Sequence, residues 1–456
     1  MLGTSEATAL VSKELLPALR AEREKLDRID RWYRWDHDKP HTPRQSTTEY
    51  RQLSERAQTP WLGLVVTDVA QALYVEGYRH ARDDVEAAAW GIWQANGLDG
   101  RQIAVHRAAL AYGLAYCTVL PGATITGAAM PVIRGVSPRQ MIAFYENVAE
   151  DEWPRYALRA EPAKIDGGLG WVLKLYDEDT VHRLHSDGTG GHIVYVTNEE
   201  HSVGVCPVVR FANQMDLEGR VPGEVEPFIP VASRIDQTTF DRLVVQRFSS
   251  WVVRTIAGMA KPETPTEAAA DKLRLRVEDI LIASDPDTKF GSLPATPLSG
   301  FIDARDADVR DLAAVTQTPP HHLLGQMANL SAEALAAAEA SLTRKVVERQ
   351  HTFGESWEQT LRLSAHVAGD TTGASDFGAQ VRWRDMESRS LAQAADALGK
   401  LAQMLGVPVQ MLWEKVPGWT QQDVERAKTM AAEGGAMEAL VRQLVENQTA
   451  GDGLNA

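Results

Sequence analysis

The sequence predicts an α+β protein, and three observations carry that expectation. Short strand-like segments bounded by Gly, Pro and Asp turns crowd into residues 124–211 at the spacing of an antiparallel sheet, with helical patterns before and after them rather than between them. A helix too long for an ordinary globular core is expected directly behind the break made by Pro319 and Pro320. Two further helical stretches, 227–250 and 301–316, enclose a compact insert at 252–300.

Taken in order, residues 5–35 read as a helix with a charged outer face, closed by Trp32, Tyr33 and Trp35, and 36–48 as a polar loop. Residues 60–73 place Leu62, Val65, Val66, Val69, Ala70 and Leu73 on one side of a second helix, and 74–78 form a short strand. Helices over 83–95 and 99–112 are separated by Asn96-Gly97, a strong turn signal, and 113–120 is a strand candidate. Further strands are expected at 132–133, 141–144, 156–160, 171–176, 192–196 and 208–211. In the helix over 227–250, Ile229, Val231, Ile235, Phe240, Leu243, Val244 and Phe248 are apolar. The insert carries strands at 252–256 and 280–283, with a basic-acidic stretch at 272–278 between them.

The run Thr318-Pro-Pro-His-His-Leu-Leu-Gly325 leads into the long helix. Its two prolines bar a helix from running through and favour an extended Thr318, while Ser331 is a good N-cap with Glu333 in the first turn. Leu335, Ala338, Leu342, Val346, Phe353, Trp357 and Leu361 then recur at three- and four-residue steps, with one wider gap before Phe353. From 331 to 368 such a helix spans roughly 57 Å, and Gly354 is its expected point of bending. Residues 380–384 read as a strand, 388–447 as a small helical unit, and the polar end of the chain as disordered.

With 456 residues the chain is long enough for about three domains, and 24% charged against 44% hydrophobic residues excludes a fibrous or disordered protein. No run of 18 or more apolar residues occurs and no basic-then-apolar leader begins the chain, so neither a membrane span nor secretion is expected. Cys117 and Cys206 are the two cysteines, too few for a disulfide framework or a cysteine-rich metal site, and read as buried thiols of a reducing compartment. A formal charge of −15 opposes tight binding to a duplex but leaves weak, transient contact open. The 12 tryptophans read as core or subunit-contact residues.

Catalytic motifs are missing from the sequence: it has no Walker loop, dinucleotide glycine fingerprint, H-E-x-x-H or nucleophile elbow. The adjacent pair His321-His322 has no further ligands at matched spacing in its sequence neighbourhood, so no metal or cofactor is expected there. Asp303, Asp306, Asp308 and Asp311 crowd one short helix, and the interleaved Arg305 and Arg310 favour a solvated, salt-bridged face over an ion site.

Several segments in order resemble the portal proteins of tailed bacteriophages, of the kind typified by the small siphovirus portals. They are Trp90 with Asn96-Gly-Leu-Asp99, then Ala108 and Ala111-Tyr-Gly113-Leu-Ala-Tyr116, then Cys206-Pro-Val-Val-Arg-Phe211-Ala-Asn213. The helix over 227–250, the Thr318–Gly325 run and the long helix complete the series, which covers roughly residues 50–370. Members often carry Gly-Arg-Ser-Glu before the first stem helix, where this chain reads Gly219-Arg-Val-Pro-Gly-Glu224, so that turn is expected to be built differently.

The resemblance implies a portal-like fold. A mixed α/β wing would take residues 1–225 and 318–384, with a channel loop at 318–330 and a long spine helix at 331–368. The stem helices would be 226–251 and 301–317, the clip 252–300, the helical crown 385–447 and a disordered tail 448–456. The implied function is a non-enzymatic ring, usually of twelve subunits, that sits at one capsid vertex of the virion after assembly in the host cytoplasm and conducts double-stranded DNA during packaging and ejection. The implied partners are the terminase large subunit, a head-completion or adaptor protein, and the major capsid and scaffolding proteins. His321, His322, Gln326 and Asn329 are the expected channel-loop contacts to DNA. Lys272, Arg274, Arg276 and Glu278 are the expected partner-binding residues of the clip. The competing readings are a nucleic-acid-processing enzyme, which the missing catalytic constellation disfavours, and a virion interaction protein that is not a channel.

Overall fold

The computed structural model describes residues 2–43, 47–80, 88–165, 167–188, 191–249, 254–257, 289–292, 296–325, 332–384 and 391–433. It is a mixture of helices and antiparallel strands, as the sequence predicts. The chain divides into two units, one of Met1–His37, Pro60–Ile229 and Val315–Ala456, the other of Asp38–Thr59 and Pro230–Ala314.

In the larger unit, the first helix runs Thr4–Leu10, passes through a π-helical turn at Val11–Leu15 and continues as Leu16–Tyr33. Pro17 stands just behind that turn and has no N–H to donate, which accounts for the locally widened helix. Ala7, Val11, Leu15, Leu16 and Leu19 of this helix pack on Leu158, Ala160, Leu173, Leu175 and Leu184 of a sheet. That sheet is a five-stranded meander in the order β4-β5-β6-β7-β8, formed by Met141–Phe144, Tyr156–Ile165, Gly168–Tyr176, Thr180–Asp187 and Ile193–Glu200.

β7 was not expected from the sequence. Its inward residues include Thr180, His182 and Ser186, whose polarity hides the alternation a half-buried strand normally shows. The fold makes His182 acceptable by bringing Tyr195 Oη to 2.9 Å from Nδ1 and Asp177 Oδ2 to 3.2 Å from Nε2.

A second sheet has the order β3-β2-β9, from Val132–Val136, Leu114–Leu120 and Val208–Ala212. Its central strand carries Cys117 and its neighbourhood Cys206; both are buried free thiols, and burial pushes their pKa values well up. A two-stranded ladder pairs β1, Val75–Arg79, with β12, Gln380–Trp383. Helix Ala88–Ala95 packs on the long helix Ala332–Ala368, which has 37 residues and runs through Gly354; Leu98–Tyr112 reaches it through His106, and Trp61–Gln71 packs on Leu98–Tyr112.

The long helix is the core of this unit. Phe353, Trp357 and Leu361 are fully buried, and Trp357 lies edge-on to Trp93 at 4.8 Å and to Phe211 at 4.7 Å. His106 completes the cluster: Nδ1 donates to the Leu73 carbonyl at 3.1 Å and Nε2 accepts the Trp357 indole N–H at 2.8 Å. Those two bonds select one neutral tautomer, and burial lowers the imidazole pKa to about 4. Beyond β12, helices Leu391–Leu405 and Val409–Leu412 are described, and residues from 434 onward, including the end of the expected crown and the expected tail, lie outside the described residues.

In the smaller unit, helix Thr48–Ala57 packs Leu53 and Ala57 on Phe240 of helix Ile229–Ser249. The sequence does not announce this helix, because ten residues carry little periodic signal. A second helix, Ser299–Thr316, carries the aspartate cluster. Arg234, from the facing helix, bridges Asp308 at 2.8 Å and Asp311 at 2.7 Å, and Thr238 Oγ1 donates to Asp308 at 3.0 Å. The aspartates thus lie on a salt-bridged face, with a cross-helix arginine as a principal partner; Arg305 also reaches Asp306, at 3.4 Å. Between the two helices, β10 (Arg254–Ala257) and β11 (Lys289–Ser292) pair as an antiparallel two-stranded ladder. β10 overlaps the expected strand at 252–256, β11 was not expected, and the expected strand at 280–283 lies outside the described residues.

Candidate functional site

The segment that enters the long helix is tightly built. Gln317 adopts a left-handed φ of 57°, and the Thr316 and Thr318 hydroxyls lie 3.1 Å apart and buried. Pro319 is extended at φ −57° and ψ 130°, and Pro320 opens a short helix, Pro320–Leu324. An extended loop was expected here, and it holds only up to Pro319. A proline that bars a helix behind it is well suited to start one in front, where its missing N–H has no intrahelical partner to lose. Gly325 ends the turn at φ 66°, its N–H donating to the His321 carbonyl at 2.9 Å.

His321 and His322 therefore sit on one helical turn, their rings nearly perpendicular with centroids 4.4 Å apart. His322 Nδ1 lies 2.9 Å from Asp68 Oδ1, and both side chains are largely covered. Glu339, near the start of the long helix, comes close as well: one donor atom from each of His321, His322 and Glu339 falls within 4.8 Å of the others. No sequence spacing announces this meeting, since Asp68 and Glu339 arrive from distant elements. Gln326, Asn329 and the Ser331 cap lie outside the described residues, as do Lys272, Arg274, Arg276 and Glu278.

Just behind this segment is a buried ionic cluster that the sequence reading missed. Lys345 Nζ donates to the Thr316 carbonyl at 2.8 Å and to Glu224 Oε2 at 2.6 Å, and Arg349 Nη2 reaches Glu224 Oε1 at 3.1 Å. All three side chains are buried, Arg349 completely. Burial is the largest influence on Glu224 and opposes its ionisation, yet Lys345 and then Arg349 outweigh it and hold the carboxyl below its ordinary value. One signal was present in the sequence: Arg349 occupies the wide gap in the apolar stripe between Val346 and Phe353.

The same cluster fixes the turn that departs from the expected Gly-Arg-Ser-Glu. Glu224 N–H donates to the Leu110 carbonyl at 2.7 Å, and Asn213 Nδ2 donates to the Pro222 carbonyl at 3.0 Å. Gly113, at φ 94°, passes so close that a Cβ there would lie 2.0 Å from the Val221 carbonyl oxygen. Asn96 makes a second anchored corner, donating to the Ile92 and Pro131 carbonyls and accepting from Ile133 N–H. The segments 90–99, 111–116 and 206–213, separate in sequence, are thus joined by the turn, the sheet and the long helix.

The family described as phage portal protein, SPP1 Gp6-like, matches this chain over residues 12–436. The chain belongs to that portal protein family. Curated portal relatives include the portal protein of Mycobacterium phage L5, 28% identical over 361 residues that make up 74% of this chain and 71% of that one. The portal protein of Mycobacterium phage D29 matches with the same identity and coverage. Portal proteins are structural components of virions rather than enzymes, and this portal chain has no described helix long and apolar enough to cross a membrane.

Proposed function

We propose that the chain assembles into a closed ring of about twelve copies at one capsid vertex and encloses the channel through which double-stranded DNA is packaged and ejected. The observation that carries this reading is the portal family match over residues 12–436, nearly the whole chain. The order of elements in the smaller unit supports it, since helices Ile229–Ser249 and Ser299–Thr316 flank the paired strands β10 and β11 as stem helices flank a clip. A chain of net charge −15 also suits a conduit, because dense phosphate binding would hold a moving duplex through counterion release.

In this reading residues 318–330 face the channel, where His321, His322, Gln326 and Asn329 offer hydrogen bonds to phosphate without the affinity of Lys or Arg. Lys272, Arg274, Arg276 and Glu278 of the clip contact the terminase large subunit and later the head-completion protein. The outer surface meets major capsid and scaffolding proteins as the particle forms in the host cytoplasm. The test is complementation of a phage that lacks its portal gene, with DNA per head measured. The native chain should restore full heads, and the Arg274→Glu, Arg276→Glu pair should leave rings intact but heads empty. Empty heads with the native chain would contradict the reading, and full heads with the double variant would remove the clip assignment.

A further inference from the structure

His321, His322 and Glu339 are brought together by the fold from either side of residues 326–331. Their donor atoms, two imidazole nitrogens and a carboxylate oxygen, lie within 4.8 Å of one another. A second observation points the same way. His322 Nδ1 is sealed from solvent and 2.9 Å from Asp68 Oδ1, without the alignment of a hydrogen bond, and Asp68 Oδ2 is likewise sealed and unmatched. A small rotation of the imidazole converts that approach into an Nδ1–H donation to the carboxylate. The Nε2 lone pair is then presented on the opposite edge, the arrangement that orients histidine ligands in metal sites.

We propose that His321, His322 and Glu339 bind one divalent transition-metal ion of the zinc class, with Asp68 as the positioning residue behind His322. Two imidazoles and one carboxylate match zinc, whereas calcium and magnesium prefer all-oxygen shells. Tetrahedral coordination at metal–ligand distances of about 2.0–2.2 Å draws the three donors closer together than they now stand, which partly exposed side chains accomplish by rotation, and leaves a fourth position for water. The ion joins the short helix after Pro320 to the long helix. The site's geometry lies within one chain, and an ion there takes the His321 and His322 nitrogens that the channel reading offers to phosphate, leaving Gln326 and Asn329 for that role.

The test is titration of the chelator-treated, full-length chain with zinc, followed by calorimetry, and with cobalt, followed by its visible ligand-field absorption. One equivalent per chain is expected, with a tetrahedral cobalt spectrum. Glu339→Gln and His321→Ala should each weaken binding at least about 100-fold and Asp68→Asn about 10-fold. His351→Ala, at an exposed position of the long helix, should change nothing. Zinc should raise the unfolding midpoint of the native chain and leave that of Glu339→Gln unmoved, the metal-free midpoints of the two being equal. Absence of stoichiometric binding, binding that Glu339→Gln leaves intact, or loss of binding in His351→Ala would overturn the proposal.

Discussion

At the residue scale, the fold depends on a few positions where chemistry leaves little choice. Gly113 combines a left-handed φ of 94° with backbone atoms of Val221 in the space a Cβ needs. Gly113→Ala should therefore cost at least about 3 kcal/mol, from strain and overpacking together. Gly127, at φ 83° with open space around it, provides the control: Gly127→Ala should cost about 1–2 kcal/mol. Chemical unfolding of the two variants separates the cases. His106 gives a pH prediction. Its folded pKa of about 4 is depressed below the ordinary imidazole value near 6.5, so its contribution to stability is fully present above about pH 6.5 and is lost as pH falls toward 4. The loss amounts to on the order of 3 kcal/mol. His106→Gln retains a donor for Leu73 and an acceptor for Trp357, and should flatten the stability profile across that window. Residues of this kind were hard to foresee. Arg349 was visible only as a gap in an apolar stripe, and the partners of His106 come from elements far apart in the chain.

At the element scale, the long helix is held by an apolar stripe and by one ionic cluster. Glu224→Gln leaves Lys345 buried without its counter-charge and Arg349 with only the exposed Glu348, and should destabilise the chain by about 3–5 kcal/mol. The native carboxyl is held low, so its contribution is present above the ordinary carboxylate range and lost as pH falls through the folded value; Glu224→Gln should lack that acid-dependent part. Unfolding midpoints measured between neutral and acid pH test both statements. The elements with strong periodic patterns were legible in advance: the first helix, helix Trp61–Gln71, most strands of the sheets and the long helix all fall close to their expected places. Elements whose inward faces are polar, or which are too short for periodicity, were not. β7 hides behind Thr180, His182 and Ser186, helix Thr48–Ala57 is only ten residues long, and the turn at Pro320–Leu324 reverses the simplest reading of a Pro-Pro pair. The His321, His322, Glu339 and Asp68 cluster was illegible for a different reason, because its members meet only in the folded chain.

At the scale of the whole molecule, the family was legible in the ordered series of segments, and the structure gives that order a physical basis. Asn96, Gly113, Asn213 and Glu224 each join a neighbouring element through a backbone or buried side-chain contact. In the proposed ring, a net charge of −15 suits a conduit that lets DNA slide, and the two helices of the smaller unit flank the paired strands β10 and β11 as a stem flanks a clip. The central claim is cyclic assembly, and native mass spectrometry of the purified chain at micromolar concentration, paired with negative-stain imaging, tests it most directly. Cyclic assembly predicts a single closed species of about twelve subunits with a central hole. Monomers or dimers alone, across several buffers, would contradict it.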